Sequence, residues 1–84
     1  MGDFKTFTDL SFSRIAGSDD YQAVMRFDNA YGVCVTKRHG SSGFEVITFY
    51  EEPLLPSVPR TILGSKKHRD RNMVTAIMCK VQNI

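Results

Sequence analysis

Six apolar residues near the C-terminus, Met73, Val74, Ile77, Met78, Val81 and Ile84, recur at spacings of three and four. That period puts all six on one face of an α-helix, with Ala76 and Lys80 flanking the stripe. A one-faced helix needs an apolar surface to lie on, and several stretches before it read with the two-residue period of strands. The chain is therefore expected to be α+β, an antiparallel sheet of about four strands with one C-terminal helix, about 68–82, packed on one face. At 84 residues, 42% of them hydrophobic, it has enough apolar material for one core, and residues 1–84 are read as a single domain.

The strands are expected at about 9–15, 21–28, 32–38 and 44–51. "YQAVMRFD" alternates Ala23, Met25 and Phe27 with Gln22, Val24, Arg26 and Asp28. "YGVCVTKR" follows after "DNA". A two-residue Asn29-Ala30 loop would pair Met25 with Cys34 and set Phe27 against Gly32. A five-residue loop, Asp28 to Gly32, pairs Phe27 with Val33 and Met25 with Val35. The second register keeps apolar residues opposite one another and is favoured, with Gly32 taking a positive φ. In "FEVITFYEE" the inward face is either Phe44, Val46 and Tyr50 or Ile47 and Phe49. All three prolines fall in "PLLPSVP", residues 53–59, which is read as extended chain leaving the sheet, with Leu54, Leu55 and Val58 packing as it goes.

The helix start has two readings. Ser65 as cap would put the basic run "SKKHRDR" into the first turns, at the positive end of the helix dipole. Asp70 as cap leaves that run in a loop. The helical wheel favours Asp70, because a helix from Ser65 would lay Lys66 and Lys67 over the apolar stripe.

Charge is segregated along the chain. The net charge is +2, yet residues 60–84 carry Arg60, Lys66, Lys67, Arg69, Arg71 and Lys80 against Asp70 alone. The cations of this segment could contact phosphates, although no aromatic is interleaved among them for base stacking. They suit an acidic protein surface at least as well. The expected partner-binding residues are Arg60, Lys66, Lys67, His68, Arg69 and Arg71, with the loop tip at Arg38 and His39 as a second surface.

Catalytic chemistry is poorly represented. "GSSG", residues 40–43, lacks the spacing of a nucleophile elbow, and there is neither a P-loop nor a dinucleotide fingerprint. Cys34, His39, His68 and Cys79 lack the close spacing of a structural zinc site. Glu51 and Glu52 are neighbours, so in a strand they point to opposite faces. Two cysteines do not make a disulfide framework. No apolar run approaches bilayer length. The expectation is a non-enzymatic protein with no cofactor, no metal and no membrane partner.

"FTDLSF", "FDNAYGVCV", "FEVITFY", "ILG" and "KVQNI" together resemble a family of small accessory proteins of tailed bacteriophages, whose pattern runs F-x-x-L-x-F, F-D-N-G-Y-G-V-S-V, a Y-E-V-A-V-type strand, Ile-Gly and a closing K-I-Q-x-L. The hairpin is the specific part. Ala30 stands where the family has glycine and Cys34 where it has serine, and the segment before the helix is basic here but acidic in the family. The resemblance implies a phage protein acting in the cytoplasm of a bacterial host, and no catalytic residues come with it. Such proteins commonly block a host enzyme, a polymerase or a defence system. The expected function is therefore binding and inhibition of a host protein, of the anti-CRISPR kind among others, with nucleic-acid binding through residues 60–71 as the alternative. A second copy of the chain is a further expected partner, since an open sheet edge can pair with itself.

Overall fold

The computed structural model describes residues 4–52 and 60–84. They form an antiparallel meander of five strands, in spatial order the same as chain order, with one C-terminal helix. The strands are β1 (Ser13–Arg14), β2 (Tyr21–Arg26), β3 (Tyr31–Lys37), β4 (Phe44–Tyr50) and β5 (Thr61–His68); the helix is α1 (Arg71–Gln82). A 3-10 turn at Phe7–Asp9 precedes β1.

The fold class is the expected one, with a fifth strand added. Residues 61–68, expected to be connection or loop, pair along their length with β4, from Phe44 opposite His68 to Tyr50 opposite Thr61. A bulge between Thr48 and Phe49 shifts the register and leaves Leu63 as the extra residue. The first strand is much shorter than 9–15, because Phe7–Asp9 winds into the 3-10 turn, where the Thr6 N–H donates to Asp9 Oδ2 at 2.8 Å. The helix begins at Arg71 rather than 68, because Asp70 caps it: Asp70 Oδ1 accepts from the Met73 N–H at 3.0 Å. Most of the basic run therefore precedes the helix, in a strand and a turn. The expected extended connection at residues 53–59, with Leu54, Leu55 and Val58, lies outside the described residues.

The hairpin between β2 and β3 takes neither expected register. Met25 pairs with Val33 and Ala23 with Val35, and the Phe27 N–H donates to the Tyr31 carbonyl at 2.8 Å. The loop is thus Asp28-Asn29-Ala30. A three-residue loop of this kind needs a left-handed residue at its end. Ala30 provides it, at φ 72°, and Gly32 does not have a positive φ. Gly32 is required for space: a Cβ there would lie 2.5 Å from the Met25 carbonyl oxygen and 2.5 Å from the Phe49 ring.

The core lies between α1 and one face of the central strands. Val33, Val35 and Val46 meet Val74, Met78 and Val81, all buried. Phe7, Leu10 and Phe12 close one end, and Phe7 stacks edge-on against Phe44 with centroids 5.0 Å apart. Both candidate faces of β4 are used. Val46 enters the core under the helix, while Phe49 is fully buried on the other side, over Gly32. The N-terminal segment runs along the helix, held by Phe7 N–H to Thr75 Oγ1 at 3.1 Å and by paired hydrogen bonds between Gln82 and the Lys5 backbone.

Candidate functional site

β5 is the last strand of the sheet, and among the described residues only β4 pairs with it. Residues Thr61 through Lys67 are exposed: α1 packs most closely on β3 and touches β4 and β5 more lightly, leaving both faces of β5 largely open. This explains how Gly64, Ser65 and two lysines can occupy a strand. An edge strand with open faces buries little, so strand-forming apolar content is not required of it.

Strand geometry divides the basic run between two faces. Lys66 stands opposite Val46, on the helix side; Lys67 stands opposite Glu45, on the far side. Arg69 follows in the turn and is exposed. Among the described residues, Lys66, Lys67 and Arg69 make no ion pair or side-chain hydrogen bond. From residue 53 to residue 69 there is no acidic side chain.

The other expected partner-binding residues are engaged within the fold. Arg60 lies with its guanidinium carbon 4.3 Å from the centroid of buried Phe49, and its Nη2 is 3.5 Å from Glu51 Oε2. Glu51 also takes Arg26, at 2.8 Å. Arg38 donates to Glu45 at 2.9 Å and approaches Asp20 at 3.5 Å, tying the ends of β2, β3 and β4 together. The Arg38 hydrogen bond, with smaller help from Lys67, holds the Glu45 carboxyl below the ordinary carboxylate value. Glu45 in turn raises Arg38. Arg71 places its guanidinium 5.6 Å from the Phe7 ring. His39 is exposed at the β3–β4 hairpin, its backbone N–H donating to Asp20 Oδ1 at 2.8 Å.

His68 closes β5. Its Nδ1 is buried and makes no hydrogen bond among the described residues. Burial, and then the charge of Lys66, push its pKa below 6.5, so the ring is neutral at pH 7.

Beside β5, on the helix side, runs an open groove of about 420 Å3. Val46, Leu63, Ile77, Val81 and Ile84 line it, together with Lys66, His68 and Lys80. Leu63 is 50% and Ile84 63% exposed. Sequence reasoning found the cations of this site and missed the groove. The groove exists only because residues 61–68 return to the sheet as a strand beyond the edge of the helix.

The remaining chemistry is sparse. Cys34 and Cys79 are free thiols, and Cys34 Sγ accepts from Gln22 Nε2 at 3.1 Å. Among the described residues, no three His, Cys, Asp or Glu side chains are grouped to hold a metal ion. Among the described residues, no helix is long and apolar enough to cross a membrane. Comparison with family models, with curated proteins and with solved structures returned no match.

Proposed function

We propose that the chain is a small, non-enzymatic phage protein that binds and inhibits a host protein in the bacterial cytoplasm, with β5 and the turn after it as the binding surface. The phage setting and the inhibitor role rest on the resemblance carried by "FDNAYGVCV" and the segments around it. One observation supports the choice of surface. Among the described residues, Lys66, Lys67 and Arg69 make no ion pair or side-chain hydrogen bond and gather on and just after an exposed edge strand, whereas Arg38 and Arg60 are held by carboxylates. Unpaired charge in that position steers association and selects partners of opposite sign. An inhibitor of a defence complex, of the anti-CRISPR kind, is one form of this reading.

Nucleic-acid binding would use the same three cations. β5 offers it no aromatic for stacking, and contacts to phosphate alone carry strong salt dependence. Affinity capture from bacterial lysate, with and without nuclease, separates the two. The expected result is one protein retained at defined stoichiometry in both samples and lost from the Lys66→Gln/Lys67→Gln double variant, whose thermal melt matches the parent. Retention that disappears with nuclease would replace this reading with nucleic-acid binding.

A further inference from the structure

Building on the reading of β5 as a binding surface, we infer that its partner is an acidic, extended segment of another protein that adds to β5 as a sixth strand. Three features of the site support this. The outer edge of β5 offers backbone N–H and C=O groups along eight residues with no pairing strand among the described residues. Strand addition uses such groups for affinity and alternate side chains for specificity. The side chains at hand are cationic on both faces, with Lys66 and Lys80 on the helix side and Lys67 on the other. The groove on the helix side then receives apolar side chains from the same face of the added strand, against Leu63, Ile77 and Ile84.

Charge decides against a second copy as the occupant. Two β5 strands side by side would bring Lys66, Lys67 and Arg69 of both chains into one short joint; residues 53–69 hold no carboxylate, and Glu45, opposite Lys67 on β4, is already held by Arg38. Like charges across a strand pair are destabilising, and lysines and a bulge are devices that keep edges from self-pairing. An acidic strand converts that barrier into attraction. The pattern expected in the partner is acidic residues at both strand parities, with one or two apolar residues restricted to the parity that faces the groove.

Selection of random linear peptides on the immobilised full chain tests the inference, with amide hydrogen exchange of the chain read in the presence of a selected peptide. Enriched peptides should be acidic with alternating apolar residues. They should newly protect alternate amides of Thr61–His68, and should bind the Lys66→Glu/Lys67→Glu variant at least about tenfold more weakly. N-methylation of single amides in the peptide should weaken binding at every second position. Absence of enrichment, enriched peptides without acidic residues, or binding that leaves β5 amides unprotected would overturn it, as would a concentration-dependent dimer formed through β5. The two proposals fail separately. A nuclease-resistant host protein bound without new β5 protection removes strand addition and leaves the inhibitor reading. Peptides that add to β5 with no host protein retained do the reverse.

Discussion

Ala30 holds a left-handed conformation, φ 72°, that L-residues other than Asn, Asp and Gly rarely adopt. Replacing it with glycine, the residue of the resembled family, should stabilise the chain by roughly 0.5–1 kcal/mol, since the relief of strain exceeds the added chain entropy. Urea unfolding of Ala30→Gly checks this through a higher midpoint at unchanged slope. Its neighbour Asn29 works across the molecule: Nδ2 donates to the Val81 carbonyl at 2.9 Å, and Oδ1 accepts from the Tyr31 N–H at 3.2 Å. One side chain thereby shapes the hairpin and satisfies a carbonyl at the C-terminal end of α1. Asn29→Ala should cost about 1–3 kcal/mol in the same assay, because it removes two hydrogen bonds at a partly buried site. The specific part of the sequence motif is thus accounted for by folding roles. Asn29 ties hairpin to helix and Gly32 makes room for Phe49. The hairpin residues were legible as a turn, but the loop length was not. Three- and five-residue loops place the same side chains on the same face, and only the contacts of Asn29 and Gly32 separate them.

At the scale of elements, the helix was the most legible, because its apolar period is long and its cap is a good one. Asp70→Ala should lower stability by about 1 kcal/mol, and Met78→Ala, which empties a fully buried site, by about 2–5 kcal/mol. β5 was the least legible. "TILGSKKH" has little alternation, a glycine and two lysines, and its assignment as a strand comes from pairing with β4 rather than from its own pattern. At its start, Arg60 covers Phe49 and reaches Glu51. At its end, His68 Nδ1 is buried with no hydrogen bond among the described residues. Because the folded chain lowers the His68 pKa below its unfolded value near 6.5, the unfolded state binds more protons between the two values. The stability this contributes is complete above about pH 6.5 and is lost as pH falls through the lowered folded value. Denaturation midpoints at pH 7.5 and pH 5 should therefore differ in the parent, with the lower one at pH 5. His68→Gln should narrow the gap.

At the scale of the whole molecule, charge and apolar surface are arranged on one edge. The sequence exposes the charge asymmetry of residues 60–84 directly, since counting requires no fold. It cannot show that Arg38 and Arg60 form ion pairs with Glu45 and Glu51 while Lys66, Lys67 and Arg69 form none among the described residues. Nor can it show the groove, whose lining comes from β4, β5 and α1 together. The choice of binding surface depends on Thr61–His68 being an ordered strand, the point on which local sequence pattern and structure differ, and strand addition depends further on a free outer edge. Residue-resolved amide hydrogen exchange of the free chain at neutral pH tests it most directly. The predicted result is alternation along Thr61–His68: amides directed at β4 slow, those directed outward near the rate of unfolded chain, with the β3 amides slowest of all. Uniformly fast exchange from 61 to 68 would return this segment to a loop and remove the binding edge. Uniform protection in the isolated chain would mean that the outer edge of β5 is already paired.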